Sequence, residues 1–416
     1  MVTDLDLIFS DMVKRSKRSA IREILKLTQQ PEIISFAGGL PAPESFPIDD
    51  LKEIVNQVLY NDGAAALQYD ATEGLKELRE TLVKKYQDEG VNCSIDNLII
   101  TTASQQGLDL LGRIFLNKGD KVICGLPSYL GGISAFMSYG AQMVGVPLDD
   151  KGMRADALKS RLKELKERNE KPKFIYIIPD FQNPAGITMP KERRQQIIDL
   201  ALEYDVLIVE DSPYREIRFE GEHQPMMYQM DTTGHVITLG TFSKIVAPGF
   251  RIGWVLADPK VLDKMVVSKQ SADLCTPTFV QKIAAKYLKS PQFPKNLKQT
   301  IDLYHKRRDI MLEGFRRYMP EGVSWTEPEG GLFLFVTLPE YMNAEELFFK
   351  AVEKKVAYVI GQVFYADGSG KNTLRLNFSF VNEEQNREGV KRLAEVFSEE
   401  IARHKNSKSK ETSIHA

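Results

Sequence analysis

The chain has 416 residues, 27% of them charged and 43% hydrophobic, with 55 Lys plus Arg against 57 Asp plus Glu and a formal net charge of −2. That length allows two or three domains with large buried cores and excludes a lone small module. The even balance leaves no chain-wide basic field to hold phosphate backbones, so nucleic acid is not the expected partner and any charge-driven function has to be local.

Cys93, Cys124 and Cys275 stand far apart with no C-x-x-C pair, which points away from zinc and disulfide frameworks and fits a reducing cytoplasm. The opening MVTDLDLIFSDMVKRSKRS puts acids before and bases after a short apolar patch, the reverse of a secretory signal. No run approaches the roughly 20 apolar residues that span a bilayer. The expectation is a cytoplasmic protein with no membrane partner.

In chain order, SAIREILKLTQQP (19–31) reads as an amphipathic helix with Ile21, Ile24 and Leu25 on one side and Arg22 off that face. From about residue 96 to 257 short apolar runs alternate with amphipathic stretches. Strands are expected over 97–102, 120–126, 142–148, 174–180, 206–211, 235–241 and 253–257, with helices over 105–116, 156–168 and 191–204. This rhythm predicts an α/β fold with a mainly parallel seven-stranded sheet between helices, and functional residues at the carboxyl ends of its strands. Beyond about residue 290 a Lys/Arg-rich helical stretch precedes the strand-like GGLFLFVTL and NTLRLNFSF, a smaller α+β domain. The expected division is 1–45, an N-terminal helix and segment joining the small domain; 46–288, the large domain; 289–403, the small domain; and 404–416, a disordered tail.

TFSKIVAPGFRIGW (241–254) directly follows the apolar run HVITLG. Lys244 there lies among the hydroxyls of Thr241 and Ser243, before a Pro-Gly turn that brings Arg251 back. A lysine in a shielded, cation-rich place loses its ammonium easily and becomes an amine nucleophile for a carbonyl. The hydroxyls and the arginine suit a phosphate dianion. A second anion site lies at TTASQQGLDLL, where a strand runs into a helix beginning near Ser104, although Ser104 reads equally as an ordinary N-cap. Asp211 ends VLIVED and reads either as a turn or capping residue or, for a heterocyclic ligand, as the partner of a protonated ring nitrogen. Asn183, in IIPDFQNPAG, Asp211 and Lys244 are each about one βα repeat apart, so one crevice can hold all three.

These residues, with ISFAGGLPAPESFP (34–47), TTASQQGLDLL (101–111) and LPSYLGG (126–132), resemble the fold-type I pyridoxal-phosphate-dependent aminotransferases of class I/II, within them the 2-aminoadipate and kynurenine/aminoadipate subgroup. The resemblance runs from about residue 18 to 400. It implies a large pyridoxal 5′-phosphate-binding domain in which Lys244 is the Schiff-base lysine and proton shuttle and Asp211 pairs with the pyridinium nitrogen. It further implies that Asn183 and Tyr214 meet the phenolic oxygen, that Ser104, Gln105, Thr241, Ser243 and Arg251 surround the phosphate, and that Tyr129 stacks on the ring. Tyr129 reads otherwise as a half-buried core tyrosine. Tyr69, in LQYDATEG, matches the tyrosine that reaches the neighbouring subunit's phosphate, which implies a homodimer. Arg375 matches the arginine for the substrate α-carboxylate, with Gly39 close to the same substrate and Asn183 beside it. Arg22 is expected to be a solvated charge or, by the resemblance, to contact a distal side-chain carboxylate. Asp70, where the family has glycine, and Ile360, where it has proline, depart from the pattern.

The implied reaction is ping-pong transamination from an L-amino acid (2-aminoadipate, aromatic or branched-chain) to 2-oxoglutarate. A lyase or decarboxylase on the same fold is one alternative. A ligand-sensing transcription regulator of the MocR type is another, disfavoured because fewer residues precede FAGGLP than the roughly 50 of a small added domain. GSGKN (368–372) lacks the rest of a phosphate loop, no G-x-S-x-G occurs, and His223, His235, His305, His404 and His415 stand in no metal-ligand spacing. No metal is expected.

Overall fold

The computed structural model describes residues 4–15 and 30–414. Helices α1 (Leu5–Ile8) and α2 (Asp11–Arg15) come first, then β1 (Ile34–Ser35), α3 (Ile48–Ala66), α4 (Lys76–Asp88), β2 (Leu98–Thr101) and α5 (Ala103–Phe115). There follow β3 (Lys121–Leu126), α6 (Leu130–Ser138), β4 (Gln142–Asp149), β5 (Gly152–Met153), α7 (Ala155–Glu167), β6 (Phe174–Ile177), α8 (Lys191–Glu203) and β7 (Leu207–Asp211). Next are α9 (Met227–Met230), β8 (Val236–Thr241), β9 (Gly253–Leu256), α10 (Pro259–Gln270), α11 (Thr278–Lys289), α12 (Gln292–Tyr318), β10 (Ser324–Trp325) and β11 (Phe333–Thr337). The chain closes with α13 (Ala344–Glu353), β12 (Val356–Ala357), β13 (Val359–Ile360), β14 (Thr373–Asn377) and α14 (Glu383–Ile414).

The central sheet has the order β2-β9-β8-β7-β6-β3-β4-β5. Strands β8, β7, β6, β3 and β4 are parallel neighbours, while β9 runs antiparallel to β2 and β8, and β5 to β4. All seven expected strands are present. The eighth, β5, is too short to leave a pattern in the sequence. The strand expected over 174–180 stops at Ile177, because Pro179 has no N–H for the ladder and starts a loop.

Strand alternation sorts the core into two layers. Ile123, Ile175 and Ile208 pack against Leu158, Leu162 and Leu165 of α7 and Ile197 and Ile198 of α8. Val122, Phe174, Val209 and Leu239 belong to the layer that includes Leu108 and Leu111 of α5. Covered on both faces, these strands are continuously apolar rather than alternating.

A second, antiparallel sheet has the order β10-β11-β14-β13, and β1 pairs in parallel with β12. The pairing of β1 carries the chain at 36–40 towards β14, where the N–H of Asn377 donates to the Phe36 carbonyl at 2.8 Å.

Two expectations need correction or fall outside the description. Within 404–416 the backbone is helical as far as Ile414, not a disordered tail. Extending an already nucleated helix requires little of each added residue, and His404 stacks on Tyr341 with ring centroids 3.7 Å apart. The helix expected over 19–31 lies almost wholly outside the described residues, and Arg22 with it.

Candidate active site

The carboxyl ends of β6, β7 and β8 and the start of α5 open on one cavity of about 380 Å³. Its walls include Gly39, Ser104, Gln105, Tyr129, Asn183, Asp211, Tyr214, Thr241, Ser243, Lys244, Arg251 and Arg375. Twelve of the fourteen residues picked out in the sequence therefore meet in one place. The other two are Arg22, outside the described residues, and Tyr69, which is 76% exposed and lies off the cavity wall.

Lys244 is half-buried at the cavity wall, and its Nζ donates to the Gly39 carbonyl at 2.8 Å. Burial, reinforced by the guanidinium groups of Arg375 and Arg251, pulls its ammonium down to about 8. At pH 7 roughly a tenth of the amine is then neutral, far more than for an ordinary lysine. Asp211, at the end of β7, has the opposite displacement: burial lifts its carboxyl to about 6, opposed only by a hydrogen bond from Tyr176. Its Oδ1 is buried and has no partner among the described residues.

At the phosphate end, α5 starts at Ala103, whose N–H donates to the Arg251 carbonyl at 3.0 Å, with Thr102 at the N-cap position. Ser104 is thus in the first turn, not at the cap, where N–H groups have no helical acceptor and point at an anion. Gly253 makes this possible: a Cβ there would lie 2.5 Å from the Ala103 carbonyl carbon and the Ser104 nitrogen. Thr241 Oγ1 lies 2.9 Å from Ser243 Oγ and accepts from the Ser243 N–H at 3.1 Å. Arg251 occupies the left-handed region (φ 50°, ψ 41°) after the Pro248–Gly249 turn and completes a positive rim.

At the other end, Arg375 is fixed on β14. Its Nη1 donates to Asn183 Oδ1 and its Nη2 to the Ala37 carbonyl, both at 2.9 Å. Phe333 and Phe364 flank the guanidinium, 4.1 and 5.1 Å from its carbon to the ring centroids. Burial draws this arginine down to about 10, and its Nε is unpartnered among the described residues. Asn183 bridges the two halves by also donating Nδ2 to Tyr214 Oη at 3.3 Å. Burial raises the Tyr214 hydroxyl well above its usual value.

An unpartnered carboxylate oxygen, a deprotonatable lysine, a helix start beside hydroxyls and an arginine, and a buried guanidinium fit pyridoxal phosphate carrying an amino acid. Each end of that compound has its own donor or acceptor.

A family model for aminotransferase class I and II matches residues 32–393. The chain belongs to this family. It is 47% identical over 399 residues to aromatic-amino-acid aminotransferase 1 of Thermococcus litoralis, covering 96% of each protein. Among solved structures, a kynurenine aminotransferase of Pyrococcus horikoshii, in complex with PMP and with KYN as substrate, superposes with a TM-score of 0.93 at 46% identity, over 95% of this chain and 98% of that one. The α-aminoadipate aminotransferase of Thermus thermophilus, complexed with N-(5'-phosphopyridoxyl)-L-leucine, gives 0.88 at 37% identity, over 96% and 100%.

This aminotransferase has residues at the site that sequence reasoning missed, one on the cavity wall and one behind it. Phe333 lines the cavity beside Arg375 and meets Tyr214 edge-on at 5.8 Å. Tyr176, in the middle of β6, donates to Asp211 Oδ2 at 2.8 Å. A signal existed for the tyrosine: a phenol inside a central strand has to find a partner. The two departures from the family pattern lie off the cavity wall. Asp70 Oδ1 accepts from the Ala71 N–H at 2.7 Å, and Ile360 pairs with Leu374 in the second sheet.

Proposed function

We propose that this aminotransferase moves the amino group of an L-amino acid, namely 2-aminoadipate or an aromatic or branched-chain residue, to 2-oxoglutarate in a ping-pong cycle. The observation that carries this reading is the placement of Lys244, Asp211 and Arg375 around one cavity.

Pyridoxal phosphate, when bound, supplies an aldehyde that condenses with amines and a protonated pyridine ring that draws electrons from the substrate Cα. Asp211 holds the ring-nitrogen proton through its free Oδ1. The first turn of α5 at Ser104 and Gln105, with Thr241, Ser243 and Arg251, binds the phosphate. Asn183 and Tyr214 donate to the phenolic oxygen, and Tyr129 covers a ring face. Arg375, prevented from turning by its two anchoring hydrogen bonds and two flanking rings, binds the α-carboxylate and orients the Cα–H bond. Lys244 Nζ would hold the cofactor through its aldehyde and, as a free amine, would take the Cα proton and return it to the carbon two atoms away, across the amino nitrogen. The chain at 36–40 closes over this chemistry, since it touches both Lys244 and Arg375.

The substrate range rests on the activities by which the relatives are named, aromatic, kynurenine and aminoadipate, together with a carboxylate site that leaves the side chain unconstrained. Arg22 is assigned to a distal carboxylate, so Arg22→Ala should slow aminoadipate and spare leucine. Tyr69 is assigned to the phosphate of a second copy. In support, Tyr60 and Leu67 beside it are also exposed, at 91% and 73%, an apolar surface suited to a homodimer. The division at 46–288 and 289–403, with 1–45 joining the smaller part, is supported by the pairing of β1 with β12.

A half-reaction decides between transamination and elimination or decarboxylation. Amino acid alone should take the enzyme to its aminated form with release of one equivalent of oxo acid, and 2-oxoglutarate should reverse the spectral change. Release of carbon dioxide or ammonia instead would overturn the reading.

A further inference from the structure

Asp211 is shaped by a residue outside the cavity. Its two oxygens are unequal: Oδ2 accepts from the Tyr176 hydroxyl at 2.8 Å, and Oδ1 is buried without a partner among the described residues. Tyr176 is fully buried on β6, next to β7, and its ring is held on two sides. Phe136 of α6 packs edge-on at 5.4 Å and 77°. Gly132, in the first turn of α6, lies so close that a Cβ there would sit 2.7 Å from two ring carbons and 2.9 Å from the hydroxyl oxygen. The neighbouring Gly131 does the same for Tyr129, with 2.5 Å to its ring. The paired glycines of LPSYLGG therefore serve two tyrosines, one on the cavity wall and one behind it.

We infer that Tyr176 is a positioning residue: its hydroxyl fixes the rotation of the Asp211 carboxylate, keeps it ionised, and leaves Oδ1 as the one acceptor for the pyridine nitrogen, with Gly132 making room for the ring that does this. The inference rests on the proposed pairing of Asp211 with that nitrogen. Without the hydroxyl the carboxylate rotates between equivalent positions and its ionised form loses its one hydrogen bond, which raises its pKa further. The other titratable groups near Asp211 do not replace that donor. Tyr129 lies at the N-cap of α6, Tyr214 is bonded to Asn183, and Lys244 after β8 is bonded to Gly39.

The test measures binding rather than turnover. The probe is 4-deoxypyridoxine 5′-phosphate, which has no aldehyde and so reports ring and phosphate contacts without Lys244 chemistry. It is titrated by fluorescence into the cofactor-free full chain from pH 5 to 8, with pyridoxal phosphate in parallel. Tyr176→Phe keeps the ring and its packing. It should weaken the probe roughly 10- to 100-fold, as expected for one lost hydrogen bond to a charged group, and move the acid limb of the affinity profile to higher pH. In an Asp211→Ala background the same change should alter affinity less than about twofold, because the interaction it served is gone. Gly132→Ala keeps the hydroxyl but displaces the ring, and should weaken the probe in the same direction with the same dependence on Asp211. Equal affinity of wild type and Tyr176→Phe, or an equal loss in both backgrounds as a packing role would give, overturns the inference. Failure of wild type to bind pyridoxal phosphate would instead overturn the proposed function.

Discussion

Glu210 and Asp211 are consecutive residues of β7, both buried, and strand alternation sends them to opposite faces of the same sheet. On the face away from the cavity, Glu210 accepts from the N–H groups of Met227 and Tyr228 at 2.9 and 3.2 Å and from the Thr238 hydroxyl at 2.6 Å. Arg194, itself fully buried, lies 4.0 Å from it and donates to the carbonyls of Met189 and Pro225 and to Asp180 at 2.8, 3.0 and 2.7 Å. On the cavity face, Asp211 has one donor for two oxygens, and Lys244 and Arg375 are held well below their ordinary values. In the first set each buried carboxylate meets a buried guanidinium of the same chain, although Asp180 Oδ2 has no hydrogen-bond partner among the described residues, and the set holds the fold together. The second is left incomplete, in a form that a ligand finishes.

That contrast predicts opposite signs for mutation. Arg194→Ala removes a donor from three carbonyls, those of Met189, Pro225 and Pro179, and from a buried carboxylate, and should destabilise the chain by about 3–5 kcal/mol in a urea melt. A loss under about 1 kcal/mol would make this face no more structural than the cavity.

Asp211→Asn should do the reverse in the cofactor-free chain. The folded carboxyl titrates near 6, above its unfolded value near 3.8, so the folded state takes up a proton in between. Its contribution to stability is fully present below pH 4, is lost as pH rises through 6, and leaves a deficit of about 3 kcal/mol at neutral pH. Asparagine should therefore raise the melting temperature at pH 7.5 and lose that advantage at pH 4. A lower melting temperature at pH 7.5 would show that Asp211 is a structural charge like Glu210.

Phe333→Leu has the smallest expected effect. It removes one of two rings flanking Arg375, a contact of roughly 1 kcal/mol, and should raise KM for the amino acid severalfold with little change in kcat. An equal fall in kcat would place Phe333 in the chemistry rather than in carboxylate binding.

The parts of the site that could be read from the sequence are those set by local rules. Asp211 and Lys244 end apolar strands, and the βα repeat between them brings strand ends together. Arg375 alternates with Leu374 and Leu376, which separates it from the core, although the alternation ends at Asn377, whose Oδ1 accepts from the N–H groups of Ser379 and Phe380. Phe333 could not be read this way, since it sits in a continuously apolar strand where nothing local distinguishes a residue facing the site from core, and the phenol of Tyr176 signals a partner without saying which. Helix α6, opening LGGISAFMS, was missed because it is apolar on all sides and carries glycines, and its position depends on packing against Tyr176 and α5. The helical backbone through Ile414 was hidden by polar composition, which says little about a helix that grows from an anchored one.

The central claim is that Lys244 carries the proton and the covalent attachment, and one variant tests it most directly. Lys244→Ala, loaded with pyridoxal phosphate and assayed with an amino acid and 2-oxoglutarate, should lose at least about 10³-fold in kcat and the visible absorbance of the lysine-linked cofactor, while the phosphate site keeps the cofactor bound. Transamination within about tenfold of wild type would contradict the account.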